Sequence, residues 1–200
     1  MTMTTSELDP LVRFRAWFDA VVEAGVAEPT AMVLATVDLA GRPSARAVLL
    51  KGVDERGFRF FTNYASAKAA DLAANPACAL AFVWPTLARQ VRVAGRAEKI
   101  SVEESAAYFA SRSRGSRLGA WASRQSEVID GRQVLDERLA ELEAHFSGTD
   151  DIPLPPFWGG YVVMPERIEF WEGRPDRLHD RHRYRRSAPG EPWLVERLSP

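Results

Sequence analysis

The stretch AMVLATVDLAGRPSARAVLLKGVDERGFRFFTN, residues 31–63, decides the fold. Its apolar, β-branched and aromatic residues fall into three short runs, and turn-like segments, LAGR (39–42) and DERG (54–57), separate them. Connections this short join antiparallel neighbours, because a parallel crossover needs a dozen residues or more. The stretch therefore predicts three consecutive antiparallel strands, at 31–38, 43–50 and 58–63.

Further strands and a few helices follow from the same patterns. The predicted strands are 77–84, 89–100, near 161–165, 167–173, 177–184 and 193–198. The predicted helices run from Pro10, after an Asp9 cap, to Gly25, from Ser66 to Asn75, from Ser101 to about Arg112, and from Val134 to Phe146. Closely spaced strands with grouped helices favour a mainly β (α+β) fold, an antiparallel barrel with peripheral helices. We expect a single domain over residues 1–200, with 1–8 as a disordered tail.

Composition excludes several classes of protein. The chain has 200 residues, 46% of them hydrophobic, and a net charge of −1, so no overall field attracts nucleic acid or an anionic membrane. It contains no apolar run long enough to cross a bilayer and no signal-peptide pattern at its start. Cys78 lies in an apolar run, which favours a small core residue over a nucleophile. We expect a cytoplasmic protein without a metal site.

The stretch RLHDRHRYR, residues 177–185, concentrates positive charge near the end of the chain. A strand here would place alternate residues on one face: Arg177, His179, Arg181, Arg183 and Arg185. Arg177 and Arg181 would then lie ~13 Å apart, at ~3.3 Å per residue, which suits a nucleotide-sized anion. A charged edge strand exposed to solvent would give the same pattern.

Two other stretches combine cations with hydrogen-bond donors. Tyr108, Arg112 and Ser116 have i, i+4, i+8 spacing, so on a continuous helix they would share one face and could donate to one phosphate. Gly115 leaves that continuity open. In RAVLLKG, residues 46–52, Arg46 and Lys51 would face opposite ways on a regular strand. Either Lys51 lies where the strand ends, or the two cations serve different ligands.

The order and spacing of these stretches resemble one family, the FMN-dependent pyridoxine/pyridoxamine 5′-phosphate oxidases. The resemblance runs from Asp9 to Pro200. It is carried by PTAMVLATVD (29–38), RAVLLKG (46–52), FFTN (60–63), LARQVRVAGRAEK (87–99), YFASRSRGSRLGAWASRQS (108–126), PPFWGGYVV (155–163), IEFWEG (168–173), RLHDR (177–181) and RLSP (197–200).

The resemblance implies a split β-barrel homodimer that holds FMN in a cleft between its subunits. The implied FMN contacts are Arg46, Ala47, Val48, Leu49, Leu50, Lys51, Phe61, Thr62, Lys68, Gln90, Gln125, Ser126, Trp171 and Arg181. The implied substrate contacts are Lys51, Tyr108, Arg112, Ser116, Arg177, Leu178 and His179. Arg177 and His179 would be the catalytic pair, over the pyridine ring of the substrate.

The implied activity is oxidation of pyridoxamine or pyridoxine 5′-phosphate to pyridoxal 5′-phosphate, with O2 as acceptor and H2O2 as product. One alternative is a related split-barrel oxidase of secondary metabolism, of the phenazine type. A second is a flavin or B6-phosphate binding protein without turnover. Nucleic-acid binding through the arginine-rich strand is a weaker third, since the charge alternates along one strand of a near-neutral chain.

The sequence departs from the family pattern in two places. A basic pair is usual where this chain has Ala67 and Lys68, so one cation for the FMN phosphate is missing. Family members often carry an N-terminal segment with an Arg and a Tyr that covers the substrate, and residues 1–8 contain neither. We therefore expect weaker binding of FMN and of substrate.

Overall fold

A computed structural model describes residues 9–200, and within them nine strands form one antiparallel sheet accompanied by five helices. The strands are β1 (Ala31–Val37), β2 (Pro43–Leu49), β3 (Gly52–Val53), β4 (Phe58–Asn63), β5 (Ala77–Trp84), β6 (Arg89–Lys99), β7 (Trp158–Glu172), β8 (Asp180–Arg185) and β9 (Leu194–Arg197). The helices are α1 (Pro10–Glu23), α2 (Ala67–Ala74), α3 (Val102–Ala110), α4 (Arg114–Ala122) and α5 (Gln133–His145).

Strand β7 organises the sheet. The strand order is β2-β1-β5-β6-β7-β4-β3, and β8 and β9 extend from β7 as a branch. Along one side β7 pairs with β6; along the other its first half pairs with β4 and its second half with β8. One strand that serves two different neighbours on the same side splits the barrel, so the mainly β split-barrel fold is confirmed.

A β-bulge lets β7 run through a proline. Gly95 of β6 pairs with Pro165, whereas the preceding Ala94 pairs with Arg167, so the register shifts between them. Proline is tolerated within a sheet at such irregularities because its missing N–H need not join the ladder. The two strands predicted at 161–165 and 167–173 are therefore one.

Helix α1 closes the core. The side chain of Asp9 accepts a hydrogen bond from the Leu11 N–H at 2.8 Å, and Pro10 occupies the first helical turn, as predicted. Phe14 is buried with its ring 4.9 Å from both Phe58 and Phe82, ring centre to ring centre. Aromatic packing of this kind fixes the helix against the inner face of the sheet.

The structure of residues 9–200 differs from the sequence predictions at three further elements. Helix α4 was missed, β3 was not distinguished from its neighbours, and the strand predicted at 177–184 begins only at Asp180. No helix within residues 9–200 is long and apolar enough to cross a membrane. The predicted tail at 1–8 lies outside the described residues, and the single-domain organisation stays a prediction.

Candidate functional site

A cavity of about 650 Å³ opens at the ends of β2 and β4. The end of α3 and helix α4 also line it. Its lining combines three cations with hydroxyl, amide and aromatic groups. The lining residues are Ala47, Val48, Leu49, Lys51, Phe61, Thr62, Asn63, Lys68, Tyr108, Arg112, Ser113, Ser116, Gly119, Ala120, Ser123, Gln125 and Trp158. The cavity therefore gathers segments that lie far apart in the sequence.

The three cations of the cavity have no acidic partners. Among residues 9–200, no ion pair involves Lys51, Lys68 or Arg112, although most other arginines of the fold are paired with carboxylates. Positive charges held together without counter-charge attract an anion, and a phosphate group satisfies several donors at once. The donor set of the cavity thus fits phosphorylated ligands.

Lys68 is held by neutral acceptors only. Its Nζ donates to Thr62 Oγ1 at 3.2 Å, to Ser66 Oγ at 3.3 Å and to Gln125 Oε1 at 3.1 Å. Burial lowers the pKa of this ammonium group, and the charge of Arg46 lowers it further. A bound anion would favour the charged form of Lys68 and so oppose both effects.

Arg112 lies against aromatic rings with part of its guanidinium unsatisfied. Its Cζ is 4.7 Å from the ring centre of Trp158 and 5.6 Å from that of Phe109. Within residues 9–200 its buried Nη1 has no hydrogen-bond partner, and burial lowers the pKa of the guanidinium. A buried unpaired donor is costly, so this atom indicates a ligand acceptor.

Tyr108, Arg112 and Ser116 converge in the cavity without sharing a helix. Helix α3 ends at Ala110, Ser113 caps α4, and Arg112 lies in the turn between the two helices. The continuous helical face is therefore wrong, because the Ser113 side chain accepts from Ser116 N and starts a new helix. The ring of Tyr108 stacks on Phe61 with 3.9 Å between ring centres.

Arg46 lies on a regular strand, but Lys51 does not. Strand β2 ends at Leu49, so Lys51 lies beyond the strand and lines the cavity. The guanidinium of Arg46 donates to Thr36 Oγ1 at 2.6 Å and to Ser44 Oγ at 2.6 Å, and lies 3.7 Å from Asp71. Arg46 is thus fixed beside the cavity without lining it.

A second cluster lies further along the sheet, on β6, β7 and β8. Gln90 of β6, Trp171 of β7 and Arg181 of β8 pair in register and form one row across three strands. None of them lines the cavity. Arg181 is held by Glu169 at 2.7 Å and donates to the carbonyl of Ser199 at 3.0 Å.

Arg177 and His179 lie in a turn that precedes β8. Asp176 and Arg177 have φ values of 58° and 60°, a left-handed conformation that costs energy for residues with a side chain. The His179 ring lies 4.5 Å from that of Trp171, and its Nδ1 accepts from the Arg174 N–H at 3.2 Å. The predicted common strand face is therefore wrong for these two residues and correct for Arg181, Arg183 and Arg185.

The predicted site residues divide into two groups. The cavity contains Ala47, Val48, Leu49, Lys51, Phe61, Thr62, Lys68, Tyr108, Arg112, Ser116 and Gln125. The residues outside it are Arg46, Leu50, Gln90, Ser126, Trp171, Arg177, Leu178, His179 and Arg181. Leu50 is buried in the core, and Ser126 Oγ accepts from the Ala67 N–H at 3.2 Å, at the start of α2.

Sequence reasoning missed six residues that line the cavity. They are Asn63, Ser113, Gly119, Ala120, Ser123 and Trp158. Trp158 had a usable signal, since it follows a proline-rich segment and precedes two glycines. Helix α4, which was not predicted, positions Ser113, Gly119, Ala120 and Ser123, and Asn63 is the last residue of β4.

The fold and the cation-lined cavity define a class of protein, the split β-barrels. A crystal structure described as a pyridoxamine 5′-phosphate oxidase-related, FMN binding protein from Nostoc punctiforme superposes with a TM-score of 0.76 over 96% of this chain and 98% of that one, at 24% identity. PhzG from Burkholderia lata, solved in complex with tetrahydrophenazine-1-carboxylic acid, gives a TM-score of 0.90 at 30% identity, covering 100% and 98% of the two chains.

Family models and curated relatives narrow this class. The pyridoxamine 5′-phosphate oxidase model matches residues 18–146, and the pyridoxine 5′-phosphate oxidase C-terminal dimerisation region matches residues 158–200. Proteins named pyridoxine/pyridoxamine 5′-phosphate oxidase are similar to this chain over nearly its whole length. The protein from Rubrobacter xylanophilus is 59% identical over 96% of this chain and 87% of its own length. The protein from Salinibacter ruber is 55% identical over 96% of this chain and 89% of its own length. The chain belongs to the pyridoxamine 5′-phosphate oxidase family.

Proposed function

We propose that this protein oxidises pyridoxamine 5′-phosphate and pyridoxine 5′-phosphate to pyridoxal 5′-phosphate, with FMN as cofactor and O2 as oxidant. One observation carries the proposal: Lys51, Lys68 and Arg112 converge in one cavity without acidic partners. Relatives 55–59% identical to this chain bear the name of that activity, which supports both the reaction and the cofactor predicted from the sequence.

The cavity suits FMN better than a dinucleotide. Lys68, Thr62 and Gln125 form a polar group around one site near the start of α2, and helix N-termini favour phosphate. The sequence has no glycine-rich dinucleotide loop of the GxGxxG type. We therefore assign FMN, with Lys68, Thr62 and Gln125 as its holders in this cavity and Ser126 beside them at the start of α2.

The reaction is a two-electron oxidation of the substrate's C4′ carbon. When bound, FMN accepts the two electrons and passes them to O2, which becomes H2O2. The alcohol substrate gives the aldehyde directly, whereas the amine substrate also consumes water and releases ammonia. The protein's own residues bind and orient the substrate.

Four residues are assigned to the substrate phosphate. Lys51 and Arg112 supply charge, and the hydroxyls of Tyr108 and Ser116 supply further donors. Stacking between Tyr108 and Phe61, and between Arg112 and Trp158, limits the rotamers of both donors. Donors that are ordered in advance lose less entropy when the ligand binds.

The predicted site residues that lie outside the cavity suggest that a second subunit completes the site. The match to a dimerisation region supports a homodimer. One outer face of the sheet carries exposed apolar side chains, Val33 (42% exposed), Leu49 (41%) and Val83 (55%). Val33 and Leu49 pair in register with alanines of neighbouring strands, and Val83 pairs with Gln90. A contiguous exposed apolar face of this kind is typical of a protein interface.

Residues of both groups lie on this same face. The register places Ala47 on β2, the first strand of the sheet, and the row Gln90, Trp171 and Arg181 on β6, β7 and β8. Five strand spacings of ~4.8 Å separate β2 from β8, about 24 Å. In a twofold dimer packed through this face with its axis along the strands, β2 of one subunit lies opposite β8 of the other. We therefore place FMN at the subunit interface, with Gln90, Trp171 and Arg181 contributed by the second chain.

In the same packing, we assign the turn before β8 to the substrate. His179 of this turn contacts Trp171, and the turn residues Arg177, Leu178 and His179 would cover the cavity of the opposite subunit. Arg177 and His179 are then the catalytic pair, which orients the substrate ring against the cofactor. The strained backbone at Arg177 accords with such a role.

A phenazine-type oxidation is the second candidate, because PhzG covers the entire chain with a TM-score of 0.90. The four phosphate-binding residues favour the B6 substrate. A binding protein without turnover is the third. A cytoplasmic location stays a prediction that cell fractionation would test.

Purified protein separates these candidates. Heat denaturation should release FMN, and the native protein should form pyridoxal 5′-phosphate and H2O2 from both B6 phosphates. Release of FAD would contradict the cofactor. Turnover of a reduced phenazine carboxylate alone would favour the second candidate, and bound FMN without any turnover would favour the third.

A further inference from the structure

Glu169 is a buried carboxylate placed between two arginines. It lies on β7, two residues before Trp171, and is 8% exposed. Its Oε1 accepts from Nε of Arg181 at 2.8 Å and lies 2.7 Å from Nη2 of the same guanidinium, and its Oε2 lies 3.6 Å from Nη1 of Arg92. A carboxylate is costly to bury unless it is paired, so this ion pair is part of the fold.

The pairing between Glu169 and Arg181 is diagonal. The residue directly opposite Glu169 on β8 is Arg183, and Arg181 stands opposite Trp171. Arg183 is held instead by Glu196, at 2.8 Å from its Nε. The carboxylate of Glu169 thus draws the Arg181 side chain along the strand, next to the Trp171 row.

The contacts of Arg181 leave part of its guanidinium free. Nε donates to Glu169, Nη2 lies 2.7 Å from the same carboxylate oxygen, and Nη1 donates to the carbonyl of Ser199 at 3.0 Å. A guanidinium has five N–H groups, and these contacts within residues 9–200 occupy at most three of them, so at least two are left for a ligand. Arg181 is therefore fixed in one orientation before any ligand arrives.

We propose that Glu169 is a positioning residue for FMN, which acts by holding Arg181 in the orientation that binds the cofactor. The inference rests on the proposed function, in which Arg181 contacts FMN. A long side chain loses rotamer freedom when it binds, and prior ordering by Glu169 removes that loss. The negative charge of Glu169 acts in the opposite sense, since by itself it repels an anionic cofactor. Loss of the Glu169 charge should weaken FMN binding if positioning dominates and strengthen it if repulsion dominates.

A double-mutant cycle tests the proposal. The apo-proteins of wild type, Glu169→Gln, Arg181→Ala and the double variant are titrated with FMN, and quenching of flavin fluorescence gives each Kd. Glu169→Gln should raise Kd about tenfold in the wild-type chain, which corresponds to ~1.4 kcal/mol. In the Arg181→Ala background it should change Kd by less than about twofold, because the residue that it positions is absent.

Control variants separate positioning from general stability. Glu104→Gln removes a carboxylate that is paired in the same manner with Arg56, at 2.6 Å and outside the cavity, and should leave Kd unchanged. Glu169→Asp keeps the charge and should recover part of the affinity. It also replaces Glu169→Gln in the cycle if circular dichroism shows that the latter is unfolded.

The possible failures are distinct. Equal effects of Glu169→Gln in both backgrounds, or tighter FMN binding by that variant, would overturn the positioning role. An Arg181→Ala chain that binds FMN like wild type would overturn it too, by removing the contact that it serves. If wild type binds no FMN at all, the proposed function itself fails, and this inference fails with it.

Discussion

The guanidinium of Arg112 lies over the indole of Trp158, with 4.7 Å between Cζ and the ring centre. Stacking of this kind uses the planar shape of arginine, which lysine lacks. Arg112 lines the cavity, and within residues 9–200 its buried Nη1 has no hydrogen-bond partner.

Arg112→Lys should raise KM for pyridoxamine 5′-phosphate about tenfold and change kcat little. The phosphate lies away from the reacting carbon, so its contacts bind substrate and transition state alike. Steady-state peroxide formation measures both constants. Arg114→Lys, which alters the neighbouring arginine that pairs with Asp150 outside the cavity, is the matched control. An unchanged KM for Arg112→Lys would remove Arg112 from the phosphate site.

FMN binding should weaken as the solution becomes alkaline, earlier than an ordinary lysine would dictate. Burial lowers the pKa of Lys68, so its charge is lost on raising the pH before the usual lysine range is reached. Lys68→Arg stays charged and should flatten the curve of Kd against pH. Lys99→Arg, at a lysine that lies over Tyr64 and outside the cavity, should not. Superimposable curves for Lys68→Arg and wild type would contradict the role of Lys68.

Val33→Glu should convert the dimer to monomers and abolish FMN retention. Val33 is 42% exposed at the centre of the apolar sheet face, where a carboxylate would be buried without a partner on association. Light scattering gives the mass, and the visible spectrum gives the bound flavin. Val102→Glu adds the same charge at a residue 69% exposed at the start of α3 and should have no effect. A Val33→Glu dimer that keeps its flavin would refute the assigned interface.

The fold was largely predictable because local patterns dominate it. Strands β1, β2 and β4 have short turns and alternating burial, which a sequence displays directly. Helix α4 was missed because Gly115 and Gly119 lower its intrinsic propensity, and its stability comes from a serine cap and from the burial of Leu118.

The site was less predictable, since it depends on register and on distant contacts. Nothing in the local sequence shows that Asp176 and Arg177 adopt positive φ, so the strand predicted from residue 177 begins only at Asp180. The diagonal pairing of Glu169 with Arg181 needs the register between β7 and β8. The resemblance to a family supplied these site residues, and residue chemistry alone supplied the cations together with Tyr108 and Ser116.

Ala67→Arg should tighten FMN binding about tenfold. Ala67 is exposed in the first turn of α2, beside Lys68, where the family usually has a second cation. A charge-assisted hydrogen bond contributes ~1.5–3 kcal/mol, and partial exposure reduces this. Ala74→Arg places the same charge at the other end of α2, ~10 Å away, and controls for net charge. Equal dissociation constants for Ala67→Arg and Ala74→Arg would show that another group already fills the position.

The most direct test of the account compares pyridoxamine 5′-phosphate with unphosphorylated pyridoxamine in one peroxide assay of the FMN-loaded protein. Lys51, Arg112, Tyr108 and Ser116 are assigned to the phosphate, and the loss of two charge-assisted contacts corresponds to ~3 kcal/mol or more. We expect kcat/KM to be at least about a hundredfold higher for the phosphorylated substrate. Equal kcat/KM values, or no turnover of the phosphorylated amine, would contradict the central claim that this cavity binds the phosphate of a B6 substrate for oxidation.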